Sequence, residues 1–404
     1  MKRDTAASRS TGVIRHDFKF NGVLMSLHRS ILLTDYMSQV APTDQLQADD
    51  LQPVLLGLFG EVGSIMATAK KFHREKEAYV GYRRAVEEEF GDALWYFAAL
   101  CRRMNVPMNE ILAAAASGSG YTSSVAANDL ISSPISHVAT PLAAPELDPA
   151  LLQLGEAAAG LFSVHGSQAE TRSGLTTFAD RYLRALKAAR VTFAEVVRMN
   201  LVKTVGRFSP PDYPNLPDFD RDFKPEEQLP RKFEITIDQR ATGRSYLRMN
   251  GVFIGDPLTD NILDQDGYRF HDVFHFAHAA ILHWSPTFRA LIKHKRKSNP
   301  KVDEAQDGGR AVVVEEGLSA WIFARSKELN YFEGQKRLSF DLLKTVQQFV
   351  AGYEVEACPL SLWEIAILRG YDVFRQVKSN LGGTIVCDRA ARTVEYRALE
   401  GSKL

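Results

Sequence analysis

The sequence predicts a mainly α-helical protein: an antiparallel helical bundle followed by a mostly helical domain with small β-hairpins. Three observations predict it. Apolar residues recur at helical spacing through the first half. A proline-dense stretch then divides the chain, and alternating runs of strand type appear only after that break.

Length and composition set the frame. At roughly 100–200 residues per domain, 404 residues exceed one ordinary core. The chain is 45% hydrophobic and 24% charged, which is globular and excludes a disordered or fibrous protein. Lys plus Arg and Asp plus Glu number 49 each, so a uniformly basic, polyanion-binding surface is excluded while a local basic patch is not. Apolar runs such as Ile111 to Ala116 are too short to span a bilayer, so no membrane association is expected. The charged N-terminus lacks the apolar core of a secretory signal, and the three cysteines are too scattered for a disulfide framework. Both features predict a reducing, cytoplasmic setting.

Residues 1–50 read as an N-terminal extension with a helix, and 51–210 as the helical domain. Within it, Leu51 to Lys71 carries Leu55, Leu58, Phe59, Val62, Ile65, Met66 and Ala69 on one stripe. Arg83 to Met104 repeats the pattern with Val86, Phe90, Ala93, Leu94, Phe97 and Leu100, and Asn105–Val106–Pro107 stops it. Ser117 to Pro145 is rich in Ser, Ala, Gly and Pro with Asp129 as its only charge, so 117–150 is expected to be a flexible insertion. The following segment, 151–210, echoes the first: Leu154–Gly155–Glu156 parallels Phe59–Gly60–Glu61, and Phe178–Ala179–Asp180 parallels Phe90–Gly91–Asp92. Either a duplication or the general likeness of amphipathic helices accounts for this. Six prolines between Ser209 and Pro230 forbid a continuous helix and mark 211–230 as a linker.

The remainder, 231–404, opens with strand signals. Phe233 to Ile237 alternates, and Tyr246 to Ile254 holds an Asn250–Gly251 turn, which predicts a hairpin. Helices are expected over Tyr268 to His283, Ala311 to Leu329, Ser339 to Val350 and Ser361 to Ser379. A closing hairpin follows around Thr384 to Val386 and Thr393 to Ala398.

Carboxylates cluster on the first helix pair. Glu88 and Asp92 are i, i+4 and Glu89 and Asp92 are i, i+3, so they share a face, and Glu61 sits in the stripe of the preceding helix. Placed antiparallel, the two helices would bring these acids together. A hard divalent cation resolves the resulting repulsion and can neutralise phosphate oxygens. A solvated acidic patch is the bland alternative. The run Ala93–Leu94–Trp95–Tyr96–Phe97 directly after Asp92 argues against it.

Gly60–Glu61–Val62–Gly63 followed by Glu88–Glu89–Phe90–Gly91–Asp92–Ala93–Leu94–Trp95–Tyr96 resembles the MazG-type all-α nucleoside triphosphate pyrophosphohydrolases. Asn200–Leu201–Val202–Lys203 with Arg207–Phe208–Ser209–Pro210 matches the ending of that family's last helix. The resemblance, over Leu51 to Pro210, implies cleavage of a (deoxy)nucleoside triphosphate to monophosphate and pyrophosphate with Mg²⁺, or Mn²⁺ in its place. It implies Glu61, Glu89 and Asp92 as metal ligands and Glu88 as their catalytic neighbour. Lys70, Asn200, Lys203 and Arg207 would face the substrate. It further implies assembly of helical halves, a dimer being expected, and a place in nucleotide-pool control or bacterial defence. The chain departs from the family where Ser64 stands for a second Glu and Gly60 precedes Glu61. The alternative function is therefore a weakly catalytic nucleotide sensor regulating a phosphate-directed or metal-dependent effector in the C-terminal domain.

A second constellation lies there. Arg269–Phe270–His271–Asp272–Val273–Phe274–His275–Phe276–Ala277–His278 puts three of the ten histidines on one helical stripe, with Glu315 and Glu316 downstream. A second divalent metal is one reading, similar in spacing to the His-Glu-x-x-His helix of zinc peptidases with Asp272 in place of the Glu. Histidines hydrogen-bonded within a polar helix interface are the other. The segment 289–301, with Lys295, Arg296 and Lys297 and then Asp307 and Arg310, suits a phosphate or nucleic-acid partner, or else a solvated basic loop. The block from Gly255 to Glu316 resembles the C-terminal domain found fused to MazG-like modules.

Overall fold

The computed structural model describes residues 32–47, 50–117, 120–121, 138, 140–163 and 167–399. The helical half comprises α1 (Leu33–Val40), α2 (Gln52–Glu75), α3 (Tyr82–Arg103), α4 (Met108–Ala116), α5 (Leu147–Gly160), α6 (Gln168–Ala188) and α7 (Phe193–Phe208). Pro53 opens α2, where its missing N–H costs nothing, and the predicted Leu55, Leu58, Val62, Ile65 and Ala69 are buried. α3 folds back on α2 after Gly81, whose φ of 82° lets the chain reverse. Capping boxes, Ser167 with Glu170 and Thr192 with Glu195, start α6 and α7. A single apolar core runs through all seven helices.

The order helix pair then third helix occurs twice, as α2–α3–α4 and α5–α6–α7, which matches the echo in sequence. The acids of the second set are not gathered. Glu156 is exposed, and Asp180 accepts from Arg184 Nε at 3.0 Å and from the Tyr121 hydroxyl at 2.8 Å. Most of the predicted flexible insertion lies outside the described residues. Its described Tyr121 and Val138 are buried.

The second half has its own core. The strands β1 (Lys232–Gln239), β2 (Ser245–Met249), β3 (Val252–Leu258), β4 (Gly382–Asp388) and β5 (Thr393–Arg397) form one antiparallel sheet ordered β3-β2-β1-β4-β5. Thus the two predicted hairpins are not separate. β1 pairs with β4, Ile235 opposite Ile385, and no local sequence signal encodes that long-range pairing. The Asn250–Gly251 turn has φ of 50° and 79°, as a tight hairpin requires. Against the sheet pack α8 (Asp272–Ala277) and α13 (Leu360–Asn380). Around them lie α9 (Pro286–Ile292), α10 (Pro300–Ala305), α11 (Gly309–Ser326) and α12 (Phe340–Phe349). Gly370 lets α13 approach α8 closely, since a Cβ there would lie 3.1 Å from that of Ala277.

The proline-rich segment is packed rather than free. Leu216 and Leu229 enter the second core, and the Asp220 carboxylate accepts from Leu229 N–H at 2.7 Å. Among the described residues no helix is long and apolar enough to cross a membrane.

Candidate functional site

The amphipathic registers of α2 and α3 aim their acids at one another. Val62 on α2 and Phe90, Ala93 and Leu94 on α3 are buried, which turns the adjoining Glu61, Glu89 and Asp92 to the edge of the helix interface. One carboxylate oxygen from each of these three residues lies within 4.8 Å of the others. Ser64, one turn on from Glu61, adds no carboxylate.

Burial and crowding mark their electrostatics. Burial, then Asp92 and Glu89, pushes the Glu61 carboxyl up to about 7. Burial, then Asp92 and Glu88, also raises Glu89. Asp92 is raised by burial, which outweighs the pull of Lys203. Glu88 differs. Burial disfavours its charge, but Lys203 and Lys344 prevail and hold it below the ordinary carboxylate range. Lys203 Nζ on α7 is 3.1 Å from Glu88 and closer still to Asp92. Lys344 Nζ on α12 lies 2.8 Å from the other Glu88 oxygen.

Glu61 and Asp92, with Lys203, line a cleft of about 330 Å³ walled by Thr43, Leu46, Trp95, Tyr96 and Phe208. The Trp95 indole N–H donates to the Thr43 hydroxyl at 2.8 Å, which fixes one wall. Asn200 is buried beneath it. Its Oδ1 accepts from the Tyr36 hydroxyl at 3.1 Å, while its Nδ2 has no hydrogen-bond partner.

Other predicted residues fall elsewhere. Lys70 is exposed, and at about 100° per residue it lies on the face of α2 opposite Glu61. Arg207 turns away from the acids, donates to the Leu338 carbonyl at 3.1 Å and lies over the Phe340 ring. Charge pattern alone could not tell a phosphate-facing Arg from one recruited to a domain contact. Sequence reasoning also missed Lys344 and Tyr36, since neither stands near a motif.

In the C-terminal domain, His271, His275, His278, Glu315 and Glu316 do converge. The basic residues predicted beside them do not. Arg269 is buried against Asp260 at 2.7 Å and bonds the Gly243 carbonyl. Arg296 is fully buried between Asp307 and Glu354, each at 2.6 Å, and Arg289 is buried against Asp220. The segment 289–301 therefore turns its arginines inward, and only residues such as Lys293 and Lys297 remain exposed. Local spacing hid this because the partner acids are remote in sequence. Arg310 is exposed, and Asp272 is buried at the start of α8.

No curated protein and no solved structure matches the chain. Residues 214–400 match the family described as the MazG C-terminal domain, a span that begins just before the packed Leu216 and takes in the whole sheet. That match does not reach the carboxylate helices; it supports a MazG-related protein.

Proposed function

We propose that the cleft between α2, α3 and α7 hydrolyses (deoxy)nucleoside triphosphates to monophosphate and pyrophosphate, with Mg²⁺ held by Glu61, Glu89 and Asp92. The convergence of those three part-buried carboxylates carries the reading. An all-oxygen donor set suits Mg²⁺ or Mn²⁺, and the raised carboxyl groups are those whose charge a divalent cation would stabilise. The bound ion would supply charge neutralisation at the phosphate oxygens. Lys203 brings an ammonium to the rim of the cluster, where it can pair with a polyphosphate. Glu88, kept ionised by two lysines, orients Lys203. Trp95 and Tyr96 give the cleft an aromatic wall for a base.

The test is turnover of a panel of NTPs and dNTPs by the full chain with Mg²⁺. Monophosphate and pyrophosphate should appear in equal amounts, and Glu89→Gln or Asp92→Asn should reduce the rate at least about 100-fold. No turnover, or turnover indifferent to both changes, would sink the enzyme reading. One observation favours a second reading: Lys203 already neutralises part of the cluster from within the chain. In that case the cleft senses a nucleotide, and tight binding without hydrolysis is the expected result.

A further inference from the structure

The geometry points to a second metal centre, in the C-terminal domain. We propose that Nε2 of His271, Nε2 of His275 and the Glu316 carboxylate bind a divalent first-row transition ion of the zinc class. His271 follows the 3₁₀ turn Tyr268–Phe270, His275 stands one helical turn later on α8, and Glu316 faces both from α11.

The tautomer of His271 is fixed by its other nitrogen. Its Nδ1 lies 2.8 Å from the Tyr268 carbonyl oxygen, which can only accept, so Nδ1 carries the proton. In the neutral ring Nε2 is then a lone pair, yet it faces Glu316 Oε2 at 3.4 Å. His275 has no solvent exposure. Its Nδ1 is 3.1 Å from Glu315 and its Nε2 is 3.3 Å from Glu316 Oε1, but neither nitrogen is aligned in a hydrogen bond. A fully buried imidazole with both nitrogens unpartnered is costly. Two imidazole nitrogens converging on one carboxylate form a donor set that a single divalent cation can bridge.

The separations fit such an ion. Zinc bound at about 2.0–2.1 Å to nitrogen and about 2.0–2.2 Å to oxygen holds tetrahedral neighbours about 3.3–3.4 Å apart. The two nitrogen–carboxylate distances are 3.3 and 3.4 Å, His275 Nε2 to Oε1 and His271 Nε2 to Oε2, so each nitrogen has its own Glu316 oxygen at that spacing and the carboxylate would bind through both. All three ligand atoms lie within 4.8 Å of one another.

The surroundings match what metal-bound histidines require: an acceptor at the ring's far nitrogen. His271 has the Tyr268 carbonyl. For His275 the acceptor at hand is Glu315, 3.1 Å from Nδ1 though not in line with it, a buried carboxylate held in place by Thr287 N–H at 2.9 Å, the Ser285 hydroxyl at 3.0 Å and His278 Nδ1 at 2.9 Å. Those partners occupy Glu315, so it positions His275 and leaves ligation to Glu316. His278 opens a π-helical turn, His278–Leu282, a geometry frequent at functional sites. Two imidazoles and one carboxylate favour zinc, iron(II) or manganese over Mg²⁺. The Glu316 side chain is 37% exposed, so a further position is open to water or a substrate oxygen.

The experiment uses the full chain, stripped with chelator, reloaded with Zn²⁺ and desalted. Metal is counted by elemental analysis, affinity is read by competition with a chromogenic chelator, and folding is checked by circular dichroism. One zinc per chain is expected, and stoichiometric iron(II) or manganese after loading with those ions equally supports the site. Glu316→Gln, which keeps the side-chain shape, and His271→Asn should each weaken binding at least about 100-fold, and Glu315→Gln about 10–100-fold. Glu89→Gln should retain the zinc, which separates this centre from the carboxylate cleft. A folded wild type that holds no stoichiometric ion overturns the proposal. So do folded Glu316→Gln and His271→Asn variants that bind zinc as tightly as wild type.

Discussion

Proton and metal compete at Glu61, and that competition can be measured. Its carboxyl sits at about 7, raised first by burial and then by Asp92 and Glu89, against an ordinary value of 4.5. A metal ligand must be deprotonated, so Mg²⁺ affinity should rise with pH through 7. With a midpoint of about 7, the ionised fraction is about one-eleventh at pH 6 and about ten-elevenths at pH 8, a ceiling of about tenfold in apparent affinity. Glu61 is only part-buried, and solvent screening brings the expected change to about three- to fivefold. Without Mg²⁺ the effect on stability has the opposite sign. The folded state holds this proton more tightly than the unfolded state, so stability falls as pH climbs from about 4.5 to about 7 and is level above it. Titration calorimetry at pH 6 and pH 8, in two buffers of different ionisation enthalpy, reads affinity and proton release together. Equal affinity at both pH values would refute the reasoning, as would an unchanged slope in Glu61→Gln.

Lys344→Ala removes one of the two cations on Glu88 and, being a part-exposed pair, should lower stability by only about 0.2–1 kcal/mol, with a salt-sensitive shift in thermal unfolding. Tyr182→Phe deletes a buried hydroxyl that donates to the Phe90 carbonyl at 2.8 Å; denaturant unfolding should show a loss of about 1 kcal/mol. Arg296→Met leaves buried Asp307 and its neighbour Glu354 without their cation, so a loss of about 3–5 kcal/mol is expected in thermal unfolding.

Periodicity made the helices legible. The stripes on α2 and α3 follow from residues three and four apart, and the same spacing puts Glu89 and Asp92 on one face of α3, which meets Glu61 of α2. The Asn250–Gly251 turn was legible because its backbone conformation is demanded by those two residue types. Pairing across distance was not. Nothing in Ile235 or Ile385 says that β1 will lie beside β4. The arginines failed for the same reason. Arg289, Arg296 and Arg207 look like phosphate ligands until Asp220, Glu354 and Leu338 arrive from elsewhere in the chain. The histidine stripe was visible, but the separate roles of Glu315 and Glu316 depend on Ser285 and Thr287 at one of them only.

The carboxylate cleft is not the property of the first domain alone. Phe340 on α12 lies under the Lys203 ammonium at 4.2 Å and beside the Arg207 guanidinium, and Lys344 from the same helix reaches Glu88. Each contact acts on charge. An aromatic face supports the Lys203 cation, and Lys344 helps keep Glu88 ionised. Removing α12 would leave Glu88 to share Lys203 with Asp92. The site would then hold the same four acids against one cation instead of two, a change in its electrostatics made without touching any of them. The second domain therefore sets the charge balance against which any metal or polyphosphate must bind in the first.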